Sequence, residues 1–426
     1  MATGSIGLAE TGVEAFAPPG VDPLSAGSPE TPVADRRQAP RIAFFFNAQP
    51  HQMLHGITSA EELALGWRAE VDILSSTRVN LDLARAAILP ESQPLLRFEQ
   101  VGSPLVRALA ARLGWVVPPK LPTLLAIRRR MNGYDAIALP ERTSILLRLL
   151  GVARPRFIHI DHGAGDRAAG FDRRIARFDF ALMAGEKQRR RMLEDGLVRE
   201  GHSAIVGYPK FEAADRLRDR NWNPFAVERP IILYNPHFSP TLGSWRSHGF
   251  ELVRRIVDAD RYNLIIAPHI RLCDTRGGRA EAEAVFGPFA TRSHVHVDYG
   301  SERSIDMTYT SMADIYLGDV SSQVYEYLRR PRPCLFVNSN GRMWRGDPNH
   351  DHWRFGPVID GVEQVVPAIE QAIVGHRDFA TVQRAAFRDT FDLRDGERSS
   401  HRAAAAIAGF LGLEPRLAER VAYSPL

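Results

Sequence analysis

Residues 313–338, ADIYLGDVSSQVYEYLRRPRPCLFVN, read as strand, turn, helix and strand in a single short stretch. Residues 314–317 form the kind of brief apolar run that makes a buried parallel strand, and Asp319-Val320-Ser321-Ser322 places a carboxylate and two hydroxyls where that strand ends. The serines predict a helix start, because a side-chain oxygen there satisfies the first orphan backbone N–H groups. Val324, Tyr327 and Leu328 fall at i, i+3 and i+4, one apolar face, and Pro331 and Pro333 stop the helix before the β-rich run 334–337. In such units the ligand sits at the strand C-terminus, and unpaired N–H groups at the positive end of a helix suit a pyrophosphate. Glu326, one turn in, is then placed to reach ribose hydroxyls. Taken alone, the segment fits equally well with serines that only cap and a glutamate that is only solvated.

The same alternation extends in both directions. β-rich runs recur at 42–46, 71–74, 136–139, 157–160 and 180–183, then at 231–234, 264–267, 295–297, 315–317 and 334–337, with helical segments between them. Strands alternating with helices predict parallel sheets. The polar, proline-bearing stretch 221–230 is the natural cut, and the chain divides into a disordered tail at 1–38 and Rossmann-like domains at 39–223 and 224–380. Helices at 381–426 are expected to pack back on the first domain.

A length of 426 residues with 44% hydrophobic content supports two sizeable cores. The net charge of +4 rests on arginine, lysine occurring only at Lys120, Lys187 and Lys210. That balance is compatible with anionic substrates or an acidic membrane surface. Nucleic acid is disfavoured, since there is no lysine-rich tail, no interleaved aromatic and basic ladder and no zinc-finger spacing. Two distant cysteines, Cys273 and Cys334, give no disulfide framework and point to a reducing compartment, the cytoplasm by default. Residues 1–38 have neither the basic start nor the apolar core of a targeting signal, and no apolar stretch is long enough to span a bilayer, so any membrane contact is peripheral. The Arg-rich, Leu-interleaved segments 108–112 and 124–130 fit packed helices with wet faces better than membrane-lying ones.

Three further strand ends carry chemistry. The run Phe157-Ile158-His159-Ile160 passes into Asp161-His162-Gly163-Ala164-Gly165-Asp166. A neutral imidazole at His162 is matched to taking a hydroxyl proton near neutral pH, and Gly163 lets the backbone approach a ligand. His159, in mid-strand, reads as structural. The strand at 231–234 runs into Asn235-Pro236-His237-Phe238-Ser239-Pro240-Thr241, and that at 264–267 into Pro268-His269-Ile270-Arg271. His269 and Arg271, with hydroxyls from Ser239 and Thr241, are donors for a phosphoryl group. His51 and His55 share one helical face, which fits packing as well as a place in the cleft.

The ordered set His162-Gly163, Gly207-Tyr208-Pro209-Lys210, Tyr234-Asn235-Pro236, His269, Asp319-Val320-Ser321-Ser322 and Asp395-Gly396-Glu397-Arg398-Ser399-Ser400-His401-Arg402 resembles the CDP-glycerol glycerophosphotransferase family, the teichoic acid polymerase type, over residues 155–410. The chain departs from the family pattern at Val320, where tyrosine is usual, and at Ile270, where proline is usual. The resemblance implies a GT-B fold, two Rossmann-like domains facing across a cleft, with the first binding the acceptor and the second holding most of the nucleotide donor. It also implies that His162 takes the proton of an acceptor hydroxyl while His269 and the other donors hold the diphosphate of a CDP-activated polyol, and CMP leaves. The donor-binding set so implied is Gly163, Lys210, Asn235, His237, Ser239, Thr241, Arg271, Asp319, Ser321, Ser322, Glu326 and Arg398. The acceptor would be a cell-envelope polysaccharide or a lipid-linked hydroxyl, and no metal or other cofactor is required.

The clusters 347–352 and 294–298 are dense in metal-ligand types but lack a partner cluster at a familiar spacing. No phosphate-binding Gly-x-x-x-x-Gly-Lys loop, dinucleotide Gly-x-Gly-x-x-Gly or hydrolase Gly-x-Ser-x-Gly elbow is present. Beside the polyol-phosphate transferase stand a glycosyltransferase or epimerase of a sugar nucleotide and a catalytically inert scaffold on the same fold.

Overall fold

The computed structural model describes residues 39–416 except 116, 164 and 167–169, so the expected disorder at 1–38 lies outside the described residues. Two parallel sheets carry the architecture. The first contains β1 (Arg41–Phe46), β2 (Glu70–Ser75), β3 (Leu96–Gln100), β4 (Ala136–Leu139), β5 (Arg156–Ile160), β6 (Phe180–Met183) and β7 (Ser203–Ile205), in the order β3-β2-β1-β4-β5-β6-β7. The second contains β8 (Ile231–Asn235), β9 (Asn263–Ile266), β10 (Val295–Val297), β11 (Ile315–Gly318), β12 (Cys334–Val337) and β13 (Val358–Ile359), in the order β10-β9-β8-β11-β12-β13. The strand order reverses between β1 and β4 in one and between β8 and β11 in the other, the switch points where doubly wound sheets open a crevice for ligands.

The apolar runs become central strands because both faces are covered. In β1, Ile42, Phe44 and Phe46 enter one core while Ala43 and Phe45 enter the core on the opposite face. In β11, Ile315 and Leu317 face one way and Tyr316 the other. Successive side chains alternate across a strand, so an unbroken apolar run fills two layers of helices at once. Each fully buried aromatic of this kind contributes about 1.5 to 3 kcal/mol by leaving water.

The helix in the opening segment is shorter than the sequence suggests, spanning only Gln323–Tyr327. Ser321 Oγ accepts from the Gln323 backbone N–H at 3.3 Å, whereas the Ser322 side chain makes no cap hydrogen bond. Five residues sum few peptide dipoles, so the anion-binding helix terminus expected at this turn is a minor contributor, and side chains must do that work.

The helix Ser399–Leu411 crosses to the first sheet. Ala403, Ala404, Ile407 and Ala408 join the same core as the buried residues of the helix Ile57–Gly66. At the base of this contact Gly207 takes φ +80°, and a Cβ there would stand 2.4 Å from Ser399 Oγ. Only glycine combines that backbone with that approach. Tyr208 then donates its backbone N–H to Ser399 Oγ at 3.0 Å, so the Gly-Tyr-Pro turn and the Arg-Ser-Ser helix start read in the sequence hold each other.

Candidate functional site

Loops from the C-terminal ends of six strands enclose one cleft of about 280 Å³. The segment after β1 supplies His51 and His55; β4 supplies Arg142; β5 supplies Asp161, His162 and Gly163; β8 supplies His237; β9 supplies His269 and Arg271; β11 supplies Ser322 and Glu326. Lys210, the first residue of the helix Lys210–Leu217, lines the same space. The imidazoles lie near one another: His237 and His269 ring centres are 5.6 Å apart, His55 and His162 6.3 Å, and His51 and His269 6.4 Å.

Two of these rings are set as donors by the backbone. His269 Nδ1 accepts from the Arg271 backbone N–H at 3.2 Å, and His237 Nδ1 accepts from that of Ser239 at 3.0 Å. A backbone N–H can only donate, so each neutral ring carries its proton on Nε2 and offers a donor. Arg271 is exposed at the rim, with its guanidinium over the Phe238 ring.

Electrostatics in the cleft favour an anion. Burial, then proximity to His269, Lys210, His162 and Arg271, holds His51 well below its ordinary value; burial, Lys210, His162 and His51 do the same for His55. Glu326 and Asp166, the carboxylates that would offset this, are already committed. Glu326 Oε1 accepts from Lys210 Nζ at 2.6 Å and from the Tyr208 hydroxyl at 2.9 Å. Asp166 accepts from Lys187 Nζ at 2.6 Å, the Tyr325 hydroxyl at 2.7 Å and His352 Nδ1 at 2.8 Å. Burial opposes the Asp166 charge, but the His352 hydrogen bond and Lys187 outweigh it and keep the carboxyl well below the usual range.

Asp161 and His162 are neighbours with displaced titrations. Burial pushes Asp161 up to about 7 against the pull of Arg142, and burial with Arg142 pushes His162 down to about 4. Near neutral pH His162 is therefore an unprotonated imidazole, and its buried Nδ1 has no hydrogen-bond partner among the described residues. Asp161 accepts from Gln188 Nε2 at 2.6 Å and from the His162 backbone N–H at 2.8 Å.

These two shifts predict opposite stability slopes. The folded value of Asp161 lies above its ordinary value of 3.8, so its contribution is full below about pH 4 and is lost as pH rises toward about 7. The folded value of His162 lies below 6.5, so its contribution is full above that pH and is lost as pH falls toward about 4. His162→Gln is expected to unmask stability that declines from about pH 4 to about pH 7, and Asp161→Asn stability that climbs through the same window. Urea midpoints of the two variants across that window check both signs.

The structure brings together His162, Gly163, Lys210, His237, His269, Arg271, Ser322 and Glu326. It places the other residues of the expected set elsewhere. Asp319 is buried, and its carboxylate accepts from the backbone N–H groups of His237, Ser244 and Val320 at 2.6 to 2.9 Å, so it shapes the β8 and β11 loops. Asn235 donates to Ala267 O at 2.7 Å and accepts from the Tyr316 hydroxyl at 3.2 Å, bracing strands rather than ligand. Ser239 and Thr241 pair with each other at 3.1 Å off the cleft, and Ser321 is buried behind it. Arg398 meets Glu62 Oε1 at 2.7 Å and does not line the cleft. Glu326 lines it, but its Lys210 and Tyr208 partners compete with the ribose contact expected from sequence. The residues that sequence reading did not single out as site members are Arg142, Asp161, Gln188, Tyr325 and His352. Asp161 sat in the quoted 157–166 segment, Tyr325 in 313–338 and His352 in the 347–352 cluster, and nothing local marks Arg142 or Gln188.

The ligand-rich clusters are spent on structure. His350 Nδ1 contacts Asp347 at 2.7 Å, His352 joins Asp166 to the Asp319 carbonyl, and Asp298 accepts from the Ser301 and Ser304 hydroxyls. Among the described residues no group of three or more His, Cys, Asp or Glu could hold a metal ion.

No family model and no curated protein matches the sequence. Solved structures do match in shape. S. aureus MnaA with UDP superposes with a TM-score of 0.60 at 13% identity, covering 88% of this chain and 98% of that one. A variant of the wall teichoic acid polymerase TagF soaked with CDPG superposes at 0.56 and 13% identity, covering 88% and 89%. UDP-GlcNAc 2-epimerase from Neisseria meningitidis bound to UDP-GlcNAc gives 0.51 at 10% identity, covering 87% and 99%. With two parallel α/β sheets and a cleft at their switch points, the chain shares the GT-B fold of these proteins.

Proposed function

We propose that the cleft binds a nucleotide-activated donor through its diphosphate and that the protein transfers a polyol phosphate, of which glycerol phosphate is the first candidate, from a CDP-linked donor to a hydroxyl acceptor. The observation that carries this reading is the cleft's cluster of imidazoles with Arg142 and Arg271, beside a Lys210–Glu326 pair whose charges cancel and an Asp166 already held by Lys187 and His352. Such a cavity lowers its own positive charge by keeping histidines unprotonated, and a bound diphosphate reverses that cost. The ordered motifs resembling the glycerophosphotransferase family and the shape shared with TagF support the CDP-linked donor.

In the transfer, the acceptor O–H approaches His162, the acceptor oxygen attacks the phosphorus bearing glycerol, and the P–O bond to the CMP phosphate breaks. The proton passes to His162. His269 and His237 donate from Nε2 to the phosphoryl oxygens as charge shifts to CMP, and Arg271 closes the rim. Donors pre-aimed at developing charge are worth about 3 to 4 kcal/mol each in sites of this kind. A bound anion also raises the basicity of His162 above that of the empty cleft, bringing it closer to a working general base.

A second reading is favoured by Asp161. A buried carboxyl titrating near neutrality beside a neutral imidazole is an acid and base pair suited to the proton exchange on a sugar carbon that an epimerase of a sugar nucleotide requires, while a glycosyltransferase would need only the base, to take the acceptor's proton.

Binding by calorimetry tests the shared premise. CDP or UDP is expected to bind with net proton uptake, read from the heat in buffers of different ionisation enthalpy, and to bind more tightly as pH falls from about 8 to about 6. Arg271→Ala is expected to weaken binding by about 10-fold or more, the loss of one charge-assisted contact. Nucleotide binding without proton uptake, or no binding, contradicts the anion-trap reading.

A further inference from the structure

A separate hollow of about 520 Å³ shares only Glu326 with the cleft among its described lining residues. Five guanidiniums line it, those of Arg218, Arg220, Arg329, Arg330 and Arg332. The carboxylates facing them are few and largely spent. Glu326 is held by Lys210 at 2.6 Å, and Asp215 is taken by both Nη atoms of Arg329 at 2.7 and 2.8 Å. Asp219 accepts from the Asn221 backbone N–H at 2.9 Å.

Positive charge is therefore in surplus. Arg332 meets no carboxylate among the described residues, its donors going to the carbonyls of Thr310, Ser311, Ala313 and Tyr327. The Arg330 guanidinium donates only to the Ser311 carbonyl, and that of Arg220 has neither hydrogen bond nor ion pair among the described residues. Burial lowers the Arg218 titration against the pull of Asp215, and Arg220 and Arg329 lower it further, so the guanidiniums oppose one another's charge. An anion removes that opposition. The open forks of Arg220 and Arg330 ask for more acceptor oxygens than a single carboxylate has, which selects a phosphoryl group.

The hollow stands where the two sheets' connections are tied together. The helix Lys210–Leu217 follows β7 of the first sheet, and the helix Gln323–Tyr327 follows β11 of the second. Lys210 and Glu326 join them in the cleft wall, and Asp215 and Arg329 join them in the hollow. Arg218 and Arg220 come just after the first helix, and Arg330 just after the second. We propose that the hollow binds a free phosphoryl anion, a phosphate or diphosphate, held between Arg218, Arg220 and Arg330, and that this anion clips the two helices together. A clip here would also hold Lys210 in the wall of the cleft. None of this rests on which donor the cleft takes.

Inorganic pyrophosphate is the probe, added to the purified full-length protein without nucleotide, and Arg271→Ala is run beside the parent so that any share of the cleft is separated. The urea midpoint is expected to rise with pyrophosphate in both proteins, because a ligand that binds only the folded state stabilises it. Adding Arg220→Ala and Arg330→Ala to the Arg271→Ala background is expected to leave the midpoint without anion unchanged, since both side chains are exposed and unpaired with any carboxylate. The same two changes are expected to weaken pyrophosphate binding by calorimetry about 100-fold, about 10-fold for each charge-assisted contact. A midpoint that pyrophosphate does not move, binding unaffected by the two changes, or a shift lost with Arg271→Ala alone, which would put the anion in the cleft, would overturn the proposal. So would equal stabilisation by chloride at matched ionic strength, since the hollow would then hold an adventitious ion only.

Discussion

His162→Ala is expected to lower the rate of donor-dependent transfer by about 100- to 10,000-fold, the usual range for a positioned general base, while the dissociation constant for the nucleotide changes little. The separation follows from the geometry. His162 is brought to the cleft by the β5 loop, and His237, His269 and Arg271, the group proposed to hold the diphosphate, by the β8 and β9 loops. Its Nδ1 has no hydrogen-bond partner among the described residues, so removing the ring breaks no such bond at that atom. A loss confined to kcat is the mark of a group that acts only in the transition state. Because the empty-cleft imidazole titrates near 4, burial and Arg142 being the causes, kcat/KM, which reports the free enzyme, should hold down to mildly acidic pH, while kcat begins to fall at a higher pH because the bound anion raises the basicity of His162. If His162→Ala kept full activity, the proton acceptor would have to be sought at Asp161 or at His55, whose ring lies 6.3 Å from that of His162.

Lys210→Ala is expected to destabilise the protein by about 3 to 5 kcal/mol, because it leaves the Glu326 carboxylate buried without its cation. The pair spans the two sheets' loops at 2.6 Å, with side-chain exposure of 6% and 8%. Tyr208 adds a third member at 2.9 Å to the same carboxylate oxygen. Glu326→Ala should cost a comparable amount by stranding Lys210. The double replacement Lys210→Ala with Glu326→Ala should cost less than the sum of the two single changes, since no buried charge is left alone. Chemical denaturation of the four proteins gives the coupling energy directly; additive losses would mean the contact is not an interacting pair.

All ten strands expected from apolar runs are present, and the three others among the described residues are sheet edges. β3 is Leu-Arg-Phe-Glu-Gln, β7 is Ser-Ala-Ile and β13 is two residues long. β3 alternates charged and polar residues with apolar ones, and β7 and β13 are only three and two residues long, so none of them offers the unbroken apolar run by which a central parallel strand is recognised. The site was legible where a strand end and a polar turn are contiguous, as at His162, His237, His269 and Ser322. It was misread where a polar residue at a strand end serves the loops instead: Asp319 and Asn235 are consumed by backbone and strand contacts that no local pattern announces. Arg398 was included by motif order, yet its motif docks a helix onto the Gly-Tyr-Pro turn. His352, Tyr325 and Lys187 converge on Asp166 from distant parts of the chain, and only the fold brings them together.

The central claim is tested most directly by identifying the nucleotide that leaves. Purified protein would be incubated with CDP-glycerol, CDP-ribitol and a panel of sugar nucleotides, with and without an envelope acceptor fraction, and the products separated chromatographically. The account predicts acceptor-dependent release of CMP from a CDP-polyol, lost in His162→Ala. Release of a nucleoside diphosphate from a sugar donor, or inversion of a sugar nucleotide without any leaving group, would contradict it and assign the cleft to glycosyl transfer or epimerisation.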